Sequence, residues 1–177
     1  HCNGDILKSM NRYGDYHSLK KLLLKMRERI PNLSLRTTFM VGFPGETEEQ
    51  FEELCRFVKD IKFDKMGCFA YSAEEDTPAF AFEHQIDETV KQKRADVLMD
   101  IQYTITENAN RNRIGIVYKT IVDEKDGEKY IGRSYLDSPE IDSGIIFTSA
   151  VPLETGSFVR VRITDYDGYD LIGECIE

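Results

Sequence analysis

Leu35-Arg36-Thr37-Thr38-Phe39-Met40-Val41-Gly42-Phe43-Pro44-Gly45-Glu46-Thr47-Glu48-Glu49-Gln50-Phe51 reads as a strand, a tight turn and a helix start, in that order. Leu35 to Val41 is rich in β-branched and aromatic residues, as expected of a parallel strand buried on both faces. Phe43-Pro44-Gly45-Glu46 fits a type II turn: proline presets φ at the second position, and glycine supplies the positive φ that the third requires. Thr47 and Gln50 have the spacing of a capping box. Glu48 and Glu49 fall in the first turn, where carboxylates suit the helix dipole. Such a strand delivers backbone N–H groups to its own C-terminal end, where α/β sheets and barrels place their sites. Taken alone, the turn chemistry suits any α/β protein. The glycines form neither G-x-G-x-x-G nor a P-loop, so dinucleotide and nucleoside triphosphate binding are not indicated.

Upstream, a helix is expected from Asp15 or His17 to about Ile30, with Leu19, Leu22, Leu23, Met26 and Ile30 as its apolar stripe and Pro31 as its stop. Asn3-Gly4 and Tyr13-Gly14-Asp15 punctuate His1 to Tyr16, where Ile6, Leu7 and Met10 allow one short helical turn. Downstream, the helix from Thr47 to Ile61 places Phe51, Leu54, Cys55, Val58 and Ile61 on one stripe. Lys65 to Tyr71 is a second strand, ending at Ser72. Two strands joined by a full-length helix form a parallel, right-handed βαβ unit. An irregular segment, Ser72 to Gln85, then carries Glu74-Glu75-Asp76-Thr77-Pro78. A long helix follows from Asp87 to about Asn110, with Val90, Val97, Leu98, Ile101 and Ile105 on one side. These elements amount to half an α/β barrel, with too few strands to close one.

Composition changes at Asn108-Ala109-Asn110-Arg111-Asn112, which divides the chain into residues 1–112 and 113–177. Beyond the break the pattern has period two. Ile116, Tyr118, Thr120 and Val122 share one face, and Val159, Val161 and Ile163 alternate with Arg160 and Arg162. Asp126-Gly127 and Asp167-Gly168 are hairpin signals. The tail is expected to be a small antiparallel β-barrel, OB-like in size, of about five strands.

Across 177 residues the net charge is −9 and 41% of residues are hydrophobic, enough for a sizeable core. The charge argues against a general nucleic-acid or membrane-surface binder. No apolar run reaches the ~18 residues of a membrane helix, and no signal peptide is evident, which points to a cytoplasmic protein. Cys2, Cys55, Cys68 and Cys175 have no C-x-x-C spacing, and His1, His17 and His84 are far apart. Reduced thiols without a disulfide framework or metal site are expected, with Cys55 in the core. A start at His1 rather than methionine suggests a piece of something longer.

Three stretches now stand together: Ile6-Leu7-Lys8-Ser9-Met10-Asn11-Arg12, Arg36-Thr37-Thr38 through Gly42-Phe43-Pro44-Gly45-Glu46-Thr47-Glu48-Glu49, and Phe69-Ala70-Tyr71-Ser72 with Glu74-Glu75 and Thr77-Pro78-Ala79. With the run Gln85 to Arg94 and a closing β-module like a TRAM domain, they resemble the radical S-adenosylmethionine methylthiotransferases over essentially the whole chain. The resemblance implies the C-terminal part of a radical-SAM-type (β/α) barrel, then a TRAM barrel. It also implies a parent transferase using S-adenosylmethionine and two 4Fe-4S clusters. Two branches are open: a MiaB type, which methylthiolates an adenosine in tRNA, and a RimO type, which methylthiolates an aspartate of ribosomal protein S-twelve. His1-Cys2 and the Tyr-Ser-x-Glu-Glu-x-Thr stretch look more like the second. Charge agrees. From Gly115 to Glu177 there are six basic residues against thirteen acidic, a net charge of −7. Phosphate neutralisation needs cations, whereas a basic ribosomal protein suits an anionic surface.

The cluster-binding cysteine triplets of the family are absent from this sequence, as are the first barrel strands. Thiolates are indispensable to such clusters, so the chain by itself is expected to be inactive and to supply neither catalytic nor metal-ligating residues. A third reading is a free-standing, non-catalytic interaction module. The resemblance implies a cofactor pocket of Arg12, Thr37, Thr38, the turn Gly42, Phe43, Gly45 and Glu46, and the strand end Phe69, Tyr71 and Ser72. Arg12 would pair with the cofactor carboxylate. Glu74, Glu75 and Asp76 would steer a basic substrate loop to the opening. An open sheet edge is expected to favour self-association, or a loosely ordered region from His1 to Tyr16.

Overall fold

The computed structural model describes residues 1–139 and 141–176. Two compact units emerge, His1–Gln102 and Tyr103–Glu177. In the first, a short helix α1 (Gly4–Ser9) and helix α2 (Tyr16–Arg29) precede strand β1 (Arg36–Val41), helix α3 (Glu48–Ile61) and strand β2 (Lys65–Ala70). A 3₁₀ turn at Pro78–Ala81 leads to the long helix α4 (Glu88–Arg113). The segment His1 to Tyr16 is an organised one: Asn3 caps α1 by accepting from the N–H groups of Asp5 and Ile6, and Ile6 and Leu7 are buried.

β1 and β2 pair in parallel, with Thr38 opposite Gly67 and Met40 opposite Phe69. Only one face of this sheet is covered. Phe39 and Val41 on β1 and Met66 on β2 are buried, whereas Arg36, Thr38, Met40 and Phe69 are exposed. The expectation of a strand buried on both faces is therefore corrected: side chains alternate across the sheet, and α3 covers one side alone. Phe51, Leu54, Phe57, Val58 and Ile61 of α3 supply that cover. Phe39 meets Phe57 and Phe63 edge to face at centroid distances of 6.4 and 5.6 Å, and Phe57 and Phe63 lie tilted at 6.2 Å. The Arg27 guanidinium closes the end of α3 by donating to the carbonyls of Ile61 and Lys62.

Two helices differ from their apolar patterns. α2 buries no residue fully, and Leu22 and Ile30 of its stripe are about half exposed. On α4 the buried positions are Lys91, Arg94, Ala95, Leu98, Gln102, Thr106 and Asn110, while Val90 and Val97 lie exposed. The helix faces inward with polar side chains that have partners. Gln102 Nε2, for example, donates to the Phe63 carbonyl at 2.9 Å.

The second unit contains β3 (Val117–Asp126), β4 (Lys129–Arg133), β5 (Ile145–Thr148), β6 (Phe158–Asp167) and β7 (Asp170–Cys175). They close a barrel in the order β3-β4-β5-β7-β6. Four of the pairings are antiparallel, but β5 and β7 run parallel, which corrects the wholly antiparallel expectation. Tyr118, Val122, Tyr130, Ile145, Phe147, Val161, Ile163 and Leu171 fill the interior. Composition suggests a division at residue 112, yet the last turns of α4 cluster with the barrel. Asn110 Nδ2 donates to the Gly168 carbonyl at 3.1 Å, and Tyr103 meets Tyr169 edge to face at 5.6 Å. Among the described residues no helix is long and apolar enough to cross a membrane.

Candidate functional site

The turn between β1 and α3 is built as its residues require. Gly42 and Gly45 hold φ of +73° and +82°, and the Glu46 N–H donates to the Phe43 carbonyl at 2.9 Å, closing the type II turn. Thr47 and Gln50 form the reciprocal capping box at the start of α3. Glu46 points inward and is 4% exposed. Its Oε2 accepts the Gly42 N–H at 2.9 Å, and its Oε1 accepts from Arg94 at 2.8 Å. Arg94 also donates to the Glu46 carbonyl at 3.1 Å and to Glu48 at 3.0 Å, and it stacks over the Phe51 ring. His1 Nδ1 accepts the N–H groups of Cys2 and Asn3, which leaves its proton on Nε2, 3.4 Å from Glu46 Oε2. That last contact is electrostatic rather than an aligned hydrogen bond. A carboxylate this deep persists only with partners of this quality.

Beside the turn, at the C-terminal ends of β1 and β2, lies a cavity of about 700 Å³. Met10, Phe43, Phe69, Tyr71, Ala79 and Phe82 give it an apolar wall; Arg12, Thr38, Ser72, Glu74 and Thr77 are among the polar groups on its lining, with His1, Ser9 and Asn11. Phe43 packs edge to face on Tyr71 at 5.2 Å and on Phe82 at 6.1 Å. The Lys91 ammonium sits 5.3 Å from the Tyr71 ring centroid and 3.0 Å from Glu88. The Tyr71 hydroxyl is buried and has no hydrogen-bond partner among the described residues. A mostly apolar hollow with a few convergent polar groups is the usual form of a small-molecule site.

Seven of the residues expected at a site therefore meet around one space: Arg12, Thr38, Phe43, Phe69, Tyr71, Ser72 and Glu74. Thr37, Gly42, Gly45, Glu46, Glu75 and Asp76 do not line it. Thr37 lies on the other face of β1, over a smaller hollow with Leu19, Leu22 and Leu23 of α2. Gly42, Gly45 and Glu46 build the turn. Glu75 and Asp76 are exposed on the loop beyond. Met10, Thr77, Ala79 and Phe82 are lining residues that strand and turn patterns do not single out. Arg94 and Lys91 are harder still to find in sequence. Their only signal is that they continue, at helical spacing, the row through Ala95, Leu98 and Gln102.

No set of three His, Cys, Asp or Glu side chains suited to a metal ion occurs among the described residues. Burial, with nearby Glu53, pushes the Cys2 thiol up to about 12; burial, with Glu46, pushes Cys68 up to about 12 as well. Cys55 is raised chiefly by burial. Iron–sulfur ligation requires several thiolates converging on one point, and no such group forms among the described residues. The residues present do not fit a cluster.

Comparison with known proteins agrees with both units. Residues 114–176 match the TRAM domain family. Over 177 residues the chain is 44% identical to the ribosomal protein uS12 methylthiotransferase RimO of Parabacteroides distasonis, covering 99% of this chain and 41% of that protein. The corresponding proteins of Clostridioides difficile and Acetivibrio thermocellus are 45% and 43% identical, each over 99% of this chain and 40% and 39% of their own length. The chain thus spans about two fifths of the length of these relatives.

Proposed function

We propose that this chain, 44% and 45% identical to two RimO methylthiotransferases over 99% of its length, is the C-terminal part of such an enzyme. It completes the S-adenosylmethionine pocket and supplies the client-binding TRAM barrel. The parent would methylthiolate an aspartate of the basic ribosomal protein S-twelve in the cytoplasm. The first unit is the back end of the enzyme's (β/α) barrel, and the iron–sulfur clusters are held by residues outside this chain. S-adenosylmethionine supplies the radical chemistry when a cluster cleaves it. The residues here bind, orient and keep water away, and the chain alone is inactive.

The observation that carries this reading is the convergence of Arg12, Thr38, Phe43, Phe69, Tyr71, Ser72 and Glu74 on one cavity. An adenosyl group suits the aromatic wall. The one arginine and the one glutamate of the lining suit the carboxylate and ammonium of the methionyl end. The client preference rests on charge: −7 over Gly115–Glu177, and three exposed carboxylates at Glu74, Glu75 and Asp76. Titrating S-adenosylmethionine into this chain, followed by saturation-transfer NMR, tests the pocket. Thr38→Ala and Arg12→Ala are expected to weaken binding about tenfold, by roughly one hydrogen bond to a charged group each. Unchanged affinity in both variants rejects the pocket. Reversing Glu74 and Glu75 to lysine should weaken capture of the basic client in a salt-dependent way; a salt-independent loss counts against steering.

A further inference from the structure

Helix α2 carries more positive charge than its own fold uses. Tyr16–Arg29 holds five basic residues against one acidic, a net charge of +4 in a chain of −9. Two of the five are engaged: Lys20 reaches Asp60, and Arg27 donates to the Ile61 and Lys62 carbonyls and pairs with Asp64 at 3.2 Å. Lys21, Lys25 and Arg29 are exposed and have no carboxylate partner among the described residues. They stand four residues apart, one row along the helix in steps of about 6 Å. Like charges at that spacing weaken a helix. The dipole at the C-terminal end accounts for Arg29 but not for Lys21, near the middle. A row kept against local stability marks a surface shaped for something else.

Beside the cations runs an apolar row of the same period: Leu22, Met26 and the C-cap Ile30. Lys25 lies three residues beyond Leu22, and Arg29 three beyond Met26, so the two rows are neighbours on the helix surface. Leu22 and Ile30 are about half exposed and Met26 is half-buried. At its Leu22 end the apolar row borders the hollow of about 260 Å³ that Leu19, Leu23, Leu35 and Phe57 also line, a socket for an apolar side chain.

We propose that α2 docks an acidic amphipathic helix of a partner protein. The partner's apolar ridge packs along Leu22, Met26 and Ile30, and its carboxylates face Lys21, Lys25 and Arg29. Rows of i±4 residues interlock between packed helices, and an apolar seam flanked by one sign of charge is how paired helices choose partners. A helix lying on a membrane turns its apolar face outermost, whereas here the cations are outermost and the apolar row borders the hollow. RNA answers the cations but leaves Leu22 and Ile30 uncovered. The α2 of a second copy is repelled by its own charge, as is the basic client proposed above. This inference stands on α2 alone and does not depend on that activity.

The experiment is a fluorescence-anisotropy titration of the whole chain with a labelled helical peptide of about three heptads, leucine at a and d and glutamate at e and g. Binding is expected, and it should weaken steadily as salt rises from about 50 to 200 mM. The bound peptide should slow amide hydrogen exchange across Tyr16–Arg29. Lys21→Glu, Lys25→Glu and Arg29→Glu together should abolish capture of this peptide and create capture of its lysine counterpart, a gain that an unfolded variant would not show. Leu22→Gln should weaken binding about tenfold, the loss of one apolar anchor. The proposal is overturned if the peptide fails to bind at the lowest salt, or if the charge reversals leave its affinity alone. Equal binding of a peptide with alanine for every leucine overturns it too, as does tighter binding of oligouridylate or phosphatidylserine vesicles through the same three cations.

Discussion

Gly42 and Gly45 both hold the left-handed backbone, yet they are constrained for different reasons. A Cβ on Gly45 meets nothing within 4 Å, whereas one on Gly42 lies 2.4 Å from Lys91 Cγ and 2.9 Å from Lys91 Cβ. Gly45→Ala should therefore cost about 1 kcal/mol of backbone strain. Gly42→Ala adds overpacking and should cost about 2–4 kcal/mol in urea titration. Pairing it with Lys91→Ala should recover part of the loss, since the clash is with that stem; strict additivity would refute the steric account. Arg94→Ala strands a buried carboxylate and is expected to destabilise the first unit by about 3–5 kcal/mol. Tyr71→Phe has the opposite character. Its hydroxyl is buried without a partner, so removing it should leave thermal stability unchanged or slightly raised. A clear drop in melting temperature would show that the hydroxyl is bonded after all.

Among the elements, α2 is held by few contacts. Its N-cap Asp15 and capping box fix its start, and Tyr16 packs edge to face on Phe57 at 5.3 Å. Lys20 and the Tyr16 hydroxyl both reach the Asp60 carboxylate of α3 at 2.5 Å. Hydrogen bonds from Lys20 and then Tyr16 hold Asp60 below its ordinary value. The bond to Asp60, with desolvation, pushes the Tyr16 phenol up to about 12. The signs define a window. A depressed carboxylate contributes stability above its unfolded pKa and loses it as pH falls; a raised phenol contributes below its unfolded pKa and loses it as pH rises. Docking of α2 should be complete between about pH 4 and 10 and loosen outside that range. Amide hydrogen exchange in α2 measures it, and Asp60→Asn should flatten the acid limb; an unchanged limb would place the titrating group elsewhere. Local opening is expected here first, because α2 contributes no fully buried side chain.

At the scale of the whole molecule, the two units are unlike in completeness. The barrel closes on itself and leaves no unpaired strand, so residues 103–177 expressed alone should unfold cooperatively. A broad, non-cooperative transition would mean that its core needs more of the chain. The two-stranded sheet of the first unit has open edges and one uncovered face on which Met40 and Phe69 are 40% and 65% exposed. Open edges and uncovered apolar faces favour association. Sedimentation of the intact chain should show self-association that Phe69→Lys reduces, and a monomer at all concentrations would contradict it.

Local chemistry was fully legible in the residues themselves. Proline, glycine and the Thr47–Gln50 spacing dictate the type II turn and the helix start, because those interactions span four residues or fewer. The alternation of Tyr118, Thr120 and Val122, and of Val161 and Ile163, likewise announced the barrel interior. What periodicity could not carry is which face a partner covers. The apolar stripe of α2 stays half exposed, the sheet is covered on one side only, and α4 turns Lys91, Arg94 and Gln102 inward. Burial of a charge depends on partners far along the chain, and Glu46 meets Arg94 across 48 positions. For the same reason turn residues read as ligand contacts prove to be the frame of the cavity, while Met10, Ala79 and Phe82 join its wall only through tertiary packing.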